Sequence, residues 1–220
     1  MSNMSVPDLT RAFMTGSDAN TEWMLPWFLD NFQQHNTVPI TVVDFGMTDK
    51  MLNHLETRVH SIGRLETKRN VLTWLYKPGA MWNSPYKATC WIDTDCEVLG
   101  DISGIFDDLY YEKLHMVVDR PWTTRHRSIM YNSGIVAFKG KPQILQRWAQ
   151  ECHENPKRGD QETLHAMLDP LQAAIHIREL SHSYNVVRLD HLDNTAPKQI
   201  LVNHWTGQKG KDHIRSLMNE

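Results

Sequence analysis

Short apolar runs of strand length alternate along this chain with stretches whose apolar positions recur at helical spacing. Residues 11–15, 40–45, 88–92, 114–118 and 134–138 are runs of the first kind, and 174–178 and 199–203 read as two late strands. In residues 21–35, Met24, Leu25, Phe28 and Phe32 fall on one helical face, with Thr21 placed to cap and Pro26 in the first turn. Met51, Leu52, Leu55 and Val59 do the same in residues 49–60. Residues 66–76 predict a helix stopped by Lys77-Pro78-Gly79, and residues 141–153 and 160–168 predict two more. Strands alternating with helices imply an α/β protein, a single domain over residues 1–220, with a mostly parallel central sheet flanked by helices. In such sheets ligands bind beyond the carboxyl ends of the strands. Ser17-Asp18 and Asp93-Thr94-Asp95 both follow strand ends.

Composition narrows the classes. The 220 residues are 40% hydrophobic and 22% charged, enough apolar surface for a core without disulfide or metal staples. A formal net charge of −3 supplies no basic field for nucleic acid. No apolar run approaches the roughly 18 residues of a membrane span. Three cysteines, Cys90, Cys96 and Cys152, have neither a C-x-x-C spacing nor an even count, so they read as reduced thiols. With no charged-then-apolar leader pattern at the start, the expected location is cytoplasmic. Twelve histidines make a histidine beside any one motif weak support for a role.

The stretch around residues 91–106 carries the most chemistry. Two carboxylates two positions apart, at the mouth of an apolar strand, can reach one cation, and hard ions such as Mg²⁺ or Mn²⁺ take oxygen ligands while leaving positions for phosphate. The alternative is a solvated turn, where aspartate is favoured anyway.

That stretch, with Asp93-Thr94-Asp95 followed by Asp101-Ile102-Ser103-Gly104-Ile105-Phe106, resembles the nucleotide-sugar glycosyltransferases of GT-A fold, particularly glycosyltransferase family 8, which includes the glycogenins. Further pieces match in the family's order: Thr15-Gly16-Ser17-Asp18, Lys77, Asn132-Ser133-Gly134, Asp160-Gln161, Tyr184-Asn185, and the H-x-x-G segment His204 to Gly207. The family has lysine six positions after that histidine; here that position is Gly210, which leaves Lys209 and Lys211 as alternatives.

The resemblance implies transfer of a sugar from a nucleotide diphosphate sugar, a UDP-sugar by preference, to a sugar, lipid or protein acceptor, with retention at the anomeric carbon. Asp93, Asp95 and His204 would hold Mn²⁺ or Mg²⁺. Thr15, Gly16, Ser17 and Asp18 would meet the nucleoside, and Lys77, Thr94, Gly207 and Lys209 or Lys211 the diphosphate region. Asn132, Asp160 and Gln161 would face the donor sugar. Asp160 also stands where a helix begins, so a capping role competes there. Trp122 and Trp205 lie beside these segments and are candidates for stacking on a sugar. Two rival readings are a haloacid-dehalogenase-like phosphohydrolase, which also places D-x-D after a strand, and a non-catalytic nucleotide-sugar binder.

Overall fold

The computed structural model describes residues 10–67 and 72–218. Ten strands are present among them: β1 (Arg11–Ser17), β2 (Ile40–Asp44), β3 (Ser61–Arg64), β4 (Ala88–Ile92), β5 (Cys96–Val98), β6 (Leu114–Val118), β7 (Tyr131–Lys139), β8 (Ile177–Glu179), β9 (Val186–Val187) and β10 (Val202–His204). The helices are α1 (Leu25–His35), α2 (Asp49–Leu55), α3 (Lys77–Trp82), α4 (Arg120–His126), α5 (Gln143–Glu154), α6 (Asp160–Met167), α7 (Pro170–His176), α8 (Arg188–Leu192) and α9 (Gly207–Met218).

Seven strands form the central sheet in the order β3-β2-β1-β4-β7-β6-β8. Its pairings are parallel except those of β7, which runs antiparallel to both β4 and β6. A second sheet, β5-β10-β9, lies beyond the end of β4. The period-2 alternation of a strand sends side chains to two cores. Ala12 and Met14 join the one holding Trp148 and Leu145, while Phe13 joins the one holding Phe28 and Leu29. Phe13 packs edge-on against Phe32 and Phe106, at 5.1 and 4.9 Å between ring centres. In the Asp101–Phe106 segment, Ile102, Ile105 and Phe106 are buried against this second core, and Asp101 accepts from the Ser103 N–H, so the segment works as packing.

Several elements differ from the sequence expectation. The helix expected over residues 66–76 falls partly outside the described residues. Its described end is a single 3₁₀ turn, Thr73–Tyr76, and Lys77-Pro78-Gly79 opens α3 rather than stopping a helix. Proline at the second helical position gives up an N–H that has no intrahelical partner there. Residues 174–176 belong to α7, not to a strand: Pro170 stands in its first turn, and Asp169 and Gln172 form a capping box. The helix at residues 49–60 ends at Leu55, and β3 follows at Ser61. Among the described residues no helix is long and apolar enough to cross a membrane, and all three cysteines are buried and free.

Candidate functional site

Register places the site. Met14 of β1 pairs with Trp91 of β4 in parallel, so the residues after both strands emerge at one end of the sheet. Ile92 pairs with Ile135 of antiparallel β7, and the Asp93 N–H donates to the Gly134 carbonyl at 2.9 Å, which brings Asn132-Ser133-Gly134 alongside the aspartate pair. The second sheet then closes the gap from the far end of the chain. His204 of β10 pairs with Cys96 of β5, and the Trp205 N–H donates to the Asp95 carbonyl. Glu97 holds this junction by accepting from Asn203 and from the Trp205 indole, both at 3.1 Å.

Lys77, at the first position of α3, is 3% exposed. Its ammonium lies 3.2 Å from Asp93 Oδ1, 2.9 Å from Asp160 Oδ2 and 2.9 Å from the Ser133 carbonyl. Burial opposes that charge, but Asp160 and Asp93 outweigh it and raise the ammonium's pKa. Asp93 also accepts from the Trp91 indole at 2.6 Å. Its own pKa is raised, because burial and then the Asp95 charge outweigh Lys77. Asp160 does not cap its helix; Gly159 occupies that position and Asp160 is left for Lys77.

His204 Nε2 sits 3.1 Å from Asp95 Oδ1 and 4.0 Å from Asp93 Oδ2. Burial works against an imidazolium here, yet the adjacent Asp95 raises the His204 pKa, and the same contact holds Asp95 below its ordinary value despite burial. The other ring nitrogen has its role dictated by a backbone amide. The Gly134 N–H can only donate, and it does so to Asn132 Oδ1 at 2.9 Å. Asn185 Nδ2 donates to the same oxygen at 2.8 Å. Asn185 Oδ1 is therefore the atom facing His204 Nδ1, at 3.0 Å, and Nδ1 carries the proton. Nε2 is left to face the two carboxylates with a lone pair, a proton or a cation between them. Two carboxylates and an imidazole oriented from behind fit a hard divalent ion. Asp95, Cys96 and His204 also present ligand atoms within 4.8 Å of one another. Burial pushes the Cys96 thiol far up, which leaves Asp93 as the better third ligand.

The same logic runs through the neighbouring amides. The Ser133 N–H donates to Gln161 Oε1 at 3.2 Å, so Gln161 Nε2 turns to Asp119 Oδ2, at 3.3 Å. Asn132 Nδ2 donates to that oxygen too, at 3.0 Å, while Asp119 Oδ1 caps α4 through the Trp122 N–H. Asp119 was not singled out from the sequence; the signal for it was Asp119-Arg120-Pro121, a cap followed by proline. Asn185 was noted only as part of a motif.

A cavity of about 700 Å³ opens over this cluster, lined by Lys77, Asp93, Asp95, Asp119, Asn132, Asp160, Gln161, His204 and Gly207 among others. A smaller one of about 120 Å³ shares Trp74, Lys77, Asp93 and Asp95 with it and continues to Gly16, Thr94 and Lys211. Lys211 is half-buried and its charge lowers the Asp95 pKa, whereas Lys209 is exposed and lines neither cavity. Position 210 has room for glycine alone, since a Cβ there would lie 1.9 Å from the Trp205 carbonyl oxygen.

Other expected residues are placed differently. Thr15 is fully buried in β1, with a hydroxyl that finds no partner among the described residues. Ser17 is buried against Thr21. Asp18 is tied into its own turn by Thr21 and Asn20 and to Thr73, and these hydrogen bonds outweigh burial to hold its carboxyl low. Of the four nucleoside candidates Gly16 alone lines either of these two cavities, and the space a side chain would need there belongs to Phe45 and Trp91. Trp205 is no free platform: it stacks on His191 and meets His213 edge-on. Residues 207–211 are the start of α9.

No protein-family model matches this chain, and no curated protein sequence does. Solved structures do. The galactosyltransferase LgtC in complex with donor and acceptor sugar analogs superposes with a TM-score of 0.67 at 11% identity, covering 94% of this chain and 95% of that one. The apo glycosyltransferase GlyE of Streptococcus pneumoniae gives 0.66 at 16% identity, covering 90% of this chain and 55% of that one. Mouse xyloside xylosyltransferase 1 gives 0.57 at 11% identity, covering 89% and 96%. This chain has the GT-A fold of those glycosyltransferases, a mixed α/β sheet with its polar cluster at the strand ends.

Proposed function

We propose that this protein is a divalent-metal-dependent glycosyltransferase that moves a sugar from a nucleotide diphosphate donor, a UDP-sugar by resemblance, to an acceptor with retention of configuration. The observation that carries the reading is the convergence of Asp93, Asp95 and His204, with Nε2 turned inward, at the junction of two connected cavities. Those three side chains would hold Mn²⁺ or Mg²⁺. The ion, when bound, supplies positive charge to the diphosphate as the anomeric bond breaks.

The chain's own groups do the rest. Lys77 holds Asp93 and Asp160 in fixed positions and keeps a half-buried and a buried carboxylate compatible. Lys211 offers a point charge to phosphate from the side of the smaller cavity. Gly207, at φ +73°, turns the chain from β10 into α9 beside the large cavity. Asp119, Asn132 and Gln161 form a cross-linked polar floor suited to sugar hydroxyls, its amides oriented by the Ser133 and Gly134 N–H groups. The phosphohydrolase alternative draws no support from the fold, and an intact ligand set gives the non-catalytic alternative none.

The test is a thermal-shift titration with UDP, with and without Mn²⁺. Ligand at 100 times its Kd raises stability by about 2.7 kcal/mol. The expected result is a shift that needs both components and is lost in Asp95→Asn. An equal UDP shift without metal, or in the variant, contradicts the metal assignment. Proton NMR of the product's anomeric signal decides retention.

A further inference from the structure

Cys96 has no part in the donor reading, yet it stands beside two of the same ligands. In the β5–β10 ladder it is the residue directly opposite His204, and such cross-strand pairs send their side chains to one face. Asp95 precedes Cys96 in the chain and holds its Oδ1 3.1 Å from His204 Nε2. A ligand atom from each of Asp95, Cys96 and His204 lies within 4.8 Å of the other two. Zinc bonds of about 2.0 Å to nitrogen or oxygen and about 2.3 Å to sulfur join such a set after small side-chain movements. A carboxylate, a thiolate and an imidazole then leave a fourth position for water.

The two donor sets differ in what they disturb. Asp93 already accepts from the Trp91 indole at 2.6 Å and from the Lys77 ammonium at 3.2 and 3.3 Å, and its Oδ2 stands 4.0 Å from His204 Nε2. An ion on Asp93, Asp95 and His204 competes with those contacts. An ion on Asp95, Cys96 and His204 leaves Asp93 with Lys77 and Trp91. The cost falls on Cys96, which is fully buried, so that a bare thiolate is unfavourable there. A hard ion gains little from sulfur and does not offset that cost. A thiophilic ion does, because its bond to sulfur takes the place of the proton outright.

We infer that this chain has a second metal-binding mode, in which a thiophilic divalent ion, Zn²⁺ or Cd²⁺, is held by Asp95, Cys96 and His204 and excludes the hard ion. On binding, the Cys96 S–H bond breaks, its proton passes to buffer and a metal–sulfur bond forms, with no change of oxidation state. The two modes share Asp95 and His204, so each shuts out the other. That exclusion rests on the donor reading above, whereas the cysteine-containing set stands on its own geometry.

Co²⁺ is the probe, because it substitutes for zinc and reports bonded sulfur by its absorption. The metal-free full chain is titrated with Co²⁺. A near-ultraviolet sulfur-to-cobalt charge-transfer band is expected, with the strong visible bands of a four-coordinate ion, and equimolar Zn²⁺ should bleach both. Cys96→Ser and Cys96→Ala are expected to lose the charge-transfer band. Their Zn²⁺ affinity should fall by more than the about 10- to 100-fold that follows loss of a group that only orients a ligand. Circular dichroism without metal establishes folding, and Cys96→Ala, which puts no hydroxyl among apolar neighbours, serves if the serine variant is unfolded. Mn²⁺ bound to the unaltered chain, followed by electron paramagnetic resonance, is expected to be released by equimolar Zn²⁺. No charge-transfer band in the unaltered chain, a band that persists in a folded variant, or Mn²⁺ that stays bound beside Zn²⁺ overturns the inference. Failure of the donor reading looks different: the UDP–Mn²⁺ thermal shift is then absent, while the cobalt band and its loss in Cys96→Ala remain.

Discussion

At the scale of single residues, Lys77 and Asn185 have the sharpest consequences. Lys77 compensates two carboxylates, one of which, Asp160, has a side chain only 8% exposed. Removing one partner of a buried pair leaves a charge with nothing to offset it, at a cost of about 3–5 kcal/mol. Lys77→Met is therefore expected to lower unfolding stability in urea by about 3 kcal/mol, with Asp160→Asn added on top restoring part of it. A loss under about 1 kcal/mol would show that the lysine does not compensate them. Asn185 touches no proposed ligand atom, yet it fixes which nitrogen of His204 bears the proton. Loss of such an orienting partner typically lowers metal affinity by about 10- to 100-fold. Asn185→Leu should show this in Mn²⁺ titrations read by electron paramagnetic resonance. Unchanged affinity would mean His204 is oriented by packing alone.

At the scale of elements, α9 separates two kinds of glycine. A Cβ at Gly207 meets nothing within 4 Å, but its φ of +73° is left-handed, so Gly207→Ala should cost only about 1 kcal/mol. At Gly210 the obstacle is the backbone of Trp205, which cannot rotate away. Gly210→Ala should destabilise by clearly more than Gly207→Ala, compared by thermal melts, and the reverse order would contradict the packing described. These two glycines also explain why α9 was not visible in the sequence: they remove two positions of apolar patterning from the first turn. The strands β1, β2, β4, β6 and β7 were legible because each is at least five residues long and carries at least four residues of apolar or β-branched character. β5 and β9 have three and two residues, too few to set a period, and form only because pairing partners arrive from elsewhere, whereas β10 overlaps the strand read over residues 199–203 and is displaced toward His204. The aspartate pair, His204, Asn132 and Gln161 were legible as motifs. Asp119 and Trp74, which line the large cavity, were not singled out, because their significance comes from where the start of α4 and the 3₁₀ turn deliver them.

For the whole molecule, a proton and the proposed metal ion would compete for one place. Asp95 raises the His204 pKa in the ion-free protein. The imidazolium–carboxylate contact therefore stabilises fully below the ordinary histidine value of about 6.5 and fades as pH rises through the raised one. Metal needs Nε2 unprotonated, so its binding strengthens in that same direction, by about tenfold per pH unit until the raised value is passed. The other charges facing His204, Asp93 and Lys77, stay paired with each other. Calorimetry in buffers of differing ionisation enthalpy should find about one proton released per Mn²⁺ bound near pH 6. An affinity unchanged between about pH 6 and 8 would place the ion elsewhere.

The small β5-β10-β9 sheet has a consequence for the order of events in folding. The contact between Trp205 and Glu97 joins residues 108 positions apart, and His204 reaches Asp95 through the same junction. Closing so long a loop before a three-residue ladder can compensate it is slow, so this junction belongs after the folding barrier, when the larger sheet is already formed. An ion bound there stabilises the native state without stabilising the barrier. Mn²⁺ should leave the refolding rate in stopped-flow experiments nearly unchanged and reduce the unfolding rate by almost the whole of its equilibrium effect. The metal would then act as a latch on a finished molecule, extending its lifetime rather than guiding its assembly.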